Sequence, residues 1–427
     1  MKLAPDEQAM LEGDKGLARQ KAMELLVRYG EALGAEGFVD TDNVTGTMGG
    51  SSTYVRDYYE AGDDRDLLFS RFDLDSDEAV EIPQATTQAC HLQTRFEPAQ
   101  AEAFGTPPEA LDFHLENQKY AEGLGVKLLN TCTPYVVGNV PEFGDHCAWM
   151  ESSAVVYCNS VLGARTNTEG RESTSAAMLT GKIPNWGFHL DDYRYGSHHV
   201  KVETPIESVM DWGMLGYFVG REVQENKPVI DGISSAPNLI CHKHFGAAAA
   251  SSGGVEMYHV VGHTPEAASL EQAFGGNAVS ETFVYGIEEV RQAYDDLNAQ
   301  ASSDDVDYVM LGCPHYTLDQ LAVVCELIEN KKVHENSNLW VFTSRIIRDQ
   351  AAAKGYDKIL AASGAILMTD TCSAMSSAAP RDTKVAATDS AKQTHYLPSM
   401  LGVEAWFGST EDCVNAALTS KWRSERP

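Results

Sequence analysis

The chain has 427 residues, 43% of them hydrophobic and 22% charged, which is globular composition in a chain too long for one core and suited to two or three lobes. Its 62 acidic and 32 basic side chains leave a net charge of −30, which argues against nucleic acid and anionic membrane as partners, because both demand a basic surface. No run of 18 apolar residues occurs, and Met1-Lys2-Leu3-Ala4-Pro5 opens no apolar leader, so the chain reads as cytoplasmic, without a membrane span.

Residues 17–33 carry apolar side chains at helical spacing, with Gly34 as a stop. Residues 43–54, NVTGTMGGSSTY, read as a glycine- and hydroxyl-rich loop in which Ser51 and Ser52 are candidate anion contacts. Residues 60–81 hold nine carboxylates and two arginines. The run from Asp73 resembles a calcium loop, but position 6 is Glu78 where glycine is required and position 12 is Gln84 where glutamate is required, so calcium is rejected. In the C-terminal third, 307–311, 338–343, 365–368 and 384–387 read as short buried strands alternating with helices, the pattern of a parallel α/β lobe. A capping box, Thr317 with Gln320, opens the helix after the first of them.

Nine cysteines stand at 90, 132, 147, 158, 241, 313, 325, 372 and 413, with no CxxC, so zinc ribbons and thioredoxin chemistry lack support. Cys313 and Cys372 follow predicted strand ends, where ligands of parallel sheets sit. Cys132 precedes Thr133-Pro134 and Cys313 precedes Pro134's counterpart, Pro314, so both thiols are expected on turns and exposed. Three such thiols can hold a cluster and leave one iron open as a Lewis acid, which is what dehydration requires.

The block 131–167, with GKIPNWGFHL at 181–190, GHTP at 262–265, GCPH at 312–315, Asp370-Thr371-Cys372, Ser390-Ala391-Lys392 and His395-Tyr396, resembles the large subunit of the aconitase X family over nearly the whole chain. The resemblance implies an α/β, aconitase-like multi-lobe fold, with parallel-sheet lobes around a central cluster site. We expect residues 1–300 to form the lobe or lobes with the Cys132 motif and residues 301–427 the lobe with Cys313 and Cys372. It also implies a hydro-lyase, an iron–sulfur cluster ([4Fe-4S] or [2Fe-2S]) or iron on Cys132, Cys313 and Cys372, and cis-3-hydroxy-L-proline or mevalonate 5-phosphate as substrate. The swivelling domain that supplies the family's serine base has no counterpart here and is expected as a separate small subunit. Two stretches, 45–52 and 82–90, depart from the family pattern, so reaction type carries over better than substrate.

Within the matched blocks, His146 and Glu151 are candidates for proton transfer. Arg165 with Thr166 and Asn167, Asn159 with Ser160, and Lys392 are candidates for substrate binding, the arginine fork suiting a carboxylate. Each has a structural alternative: an ion pair, a helix cap or a solvated lysine. His198-His199 and Cys241-His242-Lys243-His244 look metal-like but are set aside as strand neighbours that point apart. Two other readings remain: a two-cysteine racemase using Cys158 and Cys313, and a binding subunit without catalysis.

Overall fold

A computed structural model describes residues 1–41, 43–46, the backbone of 85–88, Asp112, Leu115, Gln118, Lys119, Glu122, Gly123, 125–373 and 379–427. Ser51, Ser52, Cys90, the acidic stretch at 60–81 and most of 82–92 lie outside the described residues.

Helix Leu17–Leu33 forms as its periodicity predicts, burying Ala18, Ala22, Met23 and Leu26 and ending on Gly34 at φ +75. Strands β1 (Phe38–Asp40), β2 (Asn43–Gly46), β3 (Ala85–Gln88), β4 (Cys147–Trp149) and β5 (Lys182–Pro184) follow. They make a parallel sheet of order β3-β2-β4 and an antiparallel β1-β5 pair. The start of the expected 43–54 loop is therefore a strand. The β-branched Val44 and Thr45 are fully buried in it, and strand pairing on both sides outweighs the neighbouring glycines.

Strands β6 (His198–Val202), β7 (Pro228–Asp231), β8 (His259–Val260) and β9 (Glu281–Tyr285) form a parallel sheet of order β8-β7-β6-β9. Beside it, helix Leu239–Gly253 is buried from Cys241 to Ala249, His242, Lys243 and His244 included. Cys241–His244 is thus helical, not extended.

The last sheet contains β10 (Tyr308–Leu311), β11 (Leu339–Thr343), β12 (Ile366–Thr369), β13 (Val385–Thr388) and β14 (Glu404–Phe407), all parallel in the order β12-β11-β10-β13-β14. The four expected strands are present within a residue or so; β14 was not foreseen. Tyr308 and Met310 face one core while Val309 and Leu311 face another, so both surfaces are covered and the strands read as unbroken apolar runs. Thr317 caps the next helix, its hydroxyl accepting from the Gln320 N–H at 3.2 Å. The chain runs outward from β10 to β12 and returns to β13, so strand order reverses between β10 and β13. Ligands of open parallel sheets bind at such a point, beyond the strands' C-terminal ends.

Candidate active site

Cys313 leaves β10 through Gly312, at φ +99, where a Cβ would stand 2.1 Å from the Phe342 carbonyl oxygen, so glycine alone fits. Cys372 follows β12 through Asp370, at φ +64, whose carboxylate accepts from Arg345 Nε at 2.8 Å. Cys132 precedes the short turn Pro134–Val136. These three thiols, from three distant stretches, line one cavity of about 280 Å³ with Met150, Glu151, Ser152, Ser153, Lys392, Tyr396 and Met400. A larger groove of about 470 Å³ lies beside Tyr217, Arg221 and Asp296 and holds no cysteine.

His315 binds the three cysteine loops together. Its Nε2 lies 2.9 Å from the Thr371 carbonyl oxygen and so donates; Nδ1 then accepts from the Thr131 hydroxyl, also at 2.9 Å. Its backbone N–H donates to Cys132 Sγ at 3.3 Å, and Gln393 Nε2 donates to Cys313 Sγ at 3.0 Å. On the same wall Lys392 Nζ donates to Glu151 Oε1 at 3.0 Å, and the Ser153 hydroxyl reaches that oxygen at 3.3 Å. Burial opposes the Lys392 ammonium, but Glu151 and the thiols of Cys313 and Cys132 outweigh it and hold its pKa above the ordinary lysine range. Burial raises the Cys313 thiol to about 11, with Lys392 pulling the other way.

The family models for the aconitase X first, second and third domains match residues 1–192, 196–295 and 306–419. The phosphomevalonate dehydratase large subunit of Methanocaldococcus jannaschii is 34% identical over 97% of this chain and 99% of its own length. The cis-3-hydroxy-L-proline dehydratase of Pseudomonas aeruginosa is 33% identical over 96% of this chain and 69% of its own length. A crystal structure of holo-form aconitase X from Thermococcus kodakaraensis superposes with a TM-score of 0.80 at 30% identity, covering 98% of this chain and 100% of that one. The chain belongs to the aconitase X family. It is a hydro-lyase of the aconitase X type, with the aconitase-like α/β fold expected of it.

Membership of the aconitase X family suggests a metal or iron–sulfur group. The donors here suit one: three soft sulfurs, two of them already accepting N–H bonds of the kind that stabilise cluster sulfur. Among the described residues, however, no three of His, Cys, Asp and Glu converge closely enough to hold a metal ion. The Cys132 turn forms, but its thiol is only 8% exposed, because the opposing Cys313 and Cys372 loops wall it into the cavity; the expectation of exposed thiols is corrected to that extent.

Of the residues singled out in the sequence, Cys132, Cys313, Cys372, Glu151 and Lys392 come together in this aconitase X cavity; the other described ones do not line it. Arg165 spends its fork on the His189 carbonyl oxygen, at 2.8 Å, and on Asp191. Asn159 bonds Thr166 in both directions, at 2.8 and 3.0 Å. The Thr166 hydroxyl accepts from the Trp149 N–H, the Ser160 hydroxyl from the Tyr258 N–H, and Asn167 Oδ1 from the Phe188 N–H. All five are engaged in internal hydrogen bonds and lie outside the lining of the cysteine cavity. His146 shares an Nδ1–Nδ1 hydrogen bond of 2.9 Å with His189. The racemase reading fails on placement, since fully buried Cys158 does not line the cavity that holds Cys313. His315 and Gln393 were missed; only their nearness in sequence to Cys313 and Lys392 hinted at them.

Proposed function

We propose that this chain is the large subunit of a two-chain dehydratase in which Cys132, Cys313 and Cys372 hold an iron–sulfur cluster or iron, and that it removes water from cis-3-hydroxy-L-proline. The observation that carries this reading is the meeting of three thiols and a buried ammonium–carboxylate pair in one cavity. When bound, the iron centre supplies a Lewis acid for the departing hydroxyl. The Lys392 ammonium faces the substrate carboxylate, and the Glu151 carboxylate, steadied by Ser153, faces its ammonium. Met150, Tyr396 and Met400 exclude water from the cavity. The base that takes the carbon-bound proton comes from a small swivelling subunit, the kind of partner implied by the large-subunit name of the M. jannaschii relative.

The substrate choice rests on charge. Lys392 is the one cation among the described lining residues, and Glu151 already neutralises it, which matches a zwitterion better than a phosphate dianion. Mevalonate 5-phosphate is the second reading, favoured by the match to 99% of the M. jannaschii large subunit. Anaerobic co-expression with a small subunit of this type, followed by a screen of hydroxy acids for water loss, tests both. Turnover of cis-3-hydroxy-L-proline by the pair, with little by the single chain, is expected. Full activity in an iron-free preparation overturns the cluster assignment, and turnover of mevalonate 5-phosphate alone overturns the substrate.

A further inference from the structure

Helix Ala391–Leu401 lines the cysteine cavity with a spaced set of side chains. Lys392, Tyr396 and Met400 stand at i, i+4 and i+8, which puts them on one helix face at steps of about 6 Å, and all three line the cavity. Exposure orders them. The Lys392 side chain is 12% exposed and Met400 is 43% exposed, so the stripe climbs from floor to mouth with Tyr396 between. The Tyr396 ring has a neighbour that orients it: it meets the His395 ring edge-on at a centroid distance of 5.4 Å, and His395 Nδ1 lies 3.4 Å from the Tyr217 hydroxyl.

Most polar groups of the lining are already committed. Lys392 and Ser153 bond to Glu151, and Gln393 bonds to Cys313. The hydroxyls of Tyr396 and Ser152 have no hydrogen-bond partner among the described residues. A substrate whose carboxylate lies on Lys392 lays its body along the stripe, beside Tyr396. In cis-3-hydroxy-L-proline the ring nitrogen is a secondary ammonium with two N–H donors, and Glu151 takes one. The second needs an acceptor as well, because a charged donor left unpaired away from water is costly. Of the two hydroxyls, Tyr396 suits a cation better. It offers an oxygen lone pair and the negative face of its ring, whereas Ser152 opens helix Ser152–Tyr157, where unpaired backbone N–H groups make the surroundings positive. We propose that Tyr396 is a specificity-determining residue: its phenol accepts from the ring ammonium of a carboxylate-anchored substrate and so selects an amino acid over a hydroxy acid without a cation. This rests on the reading of the substrate as a zwitterion held by Lys392 and Glu151.

Two small acids test it without iron, partner or turnover. L-Proline has the ring, carboxylate and ammonium but no hydroxyl to lose, and (S)-tetrahydrofuran-2-carboxylate replaces the ammonium by an ether oxygen. Both are titrated calorimetrically into the full chain as wild type, Tyr396→Phe and Ser152→Ala, with folding checked by circular dichroism. Wild type should bind L-proline at least about tenfold more tightly than the ether. Tyr396→Phe, which keeps the ring and loses the acceptor, should weaken L-proline by about tenfold, the scale of a hydrogen bond to a charged group, and the ether by less than about twofold. A wild-type preference that survives intact in Tyr396→Phe overturns the assignment, as does equal weakening of both acids. A preference kept in Tyr396→Phe and lost in Ser152→Ala passes the role to Ser152. Equal affinity of wild type for the two acids overturns the zwitterion reading itself, and this inference with it.

Discussion

Two regions bring cysteines to the same cavity, and they teach different things about what a sequence displays. Residues 306–419 deliver Cys313 and Cys372 from the ends of parallel strands, and strand direction alone sends both toward one edge of the sheet. Residues 131–194 deliver Cys132 from a dense polar block with no such geometric rule. There, the residues that looked most chemical, Arg165, Thr166, Asn167 and Asn159, bond to backbone within residues 166–189. Polar density marks a region in which buried polar atoms must be satisfied. Only topology says which of them face a ligand.

The sharpest break of that comparison is made on the cysteines themselves. Single Cys→Ser changes at 132, 313 and 372 should each abolish the visible absorption of the reconstituted cluster and, with the small subunit present, dehydratase activity. Cys325→Ala and Cys413→Ala should retain both, because those thiols belong to the opposite, purely apolar core under the sheet. A triad variant with full iron and activity would remove that residue from the ligand set and would end the equivalence of the two regions.

Much of the fold was legible because its signals are local. Periodicity gave helix Leu17–Leu33 to the residue, and apolar runs bounded by Gly312 and by Asp370 gave β10 and β12. Val44 and Thr45 were misread because GTMGGSS follows them and the pairing with β3 and β4 is a long-range property. The same limit applies at the site. Cys313 and Cys372 announced themselves by strand position, and Lys392 by a motif. The bonds of Lys243 to the Pro314 and His315 carbonyl oxygens did not, since they depend on helix Leu239–Gly253 meeting a loop about 70 residues away in sequence.

The next test probes the scaffold of the polar block through pH. Burial, then the neighbouring His146 and arginines, push His189 down to about 3 from a usual 6.5, and its Nε2 is buried without a partner. Unfolded chain therefore binds a proton on His189 at pH values where the folded chain does not. Stability from this residue is fully present above pH 6.5 and falls as pH drops from there toward 3, by up to about 4–5 kcal/mol at the low end. Urea unfolding of wild type and His189→Gln between pH 7 and 5 should show a shallower fall for the variant. Equal slopes would mean that the imidazole is not kept neutral by its burial, and the block would be looser than its hydrogen bonds indicate.

The smallest effect decides what Arg165 is for. Its side chain is 19% exposed, and its two bonds run to the His189 carbonyl oxygen and to Asp191, itself 74% exposed. Replacement by lysine keeps the charge and loses the fork that makes both bonds at once. In a scaffold role the cost is about 1 kcal/mol of folding stability, at the low end for charged hydrogen bonds because water screens the Asp191 side. The paired enzyme's kcat/KM should stay within about twofold, since nothing at the cysteine cavity has moved. A substrate-binding Arg165 gives the opposite pattern. Stability is then unchanged and kcat/KM falls by roughly tenfold or more with the cluster's absorption intact, a loss of about 1.5–3 kcal/mol from transition-state capture. Denaturant midpoints and steady-state rates on one preparation separate the two. The second pattern would place a substrate group beside residues 165–191 and extend the site from the strand ends into the polar block.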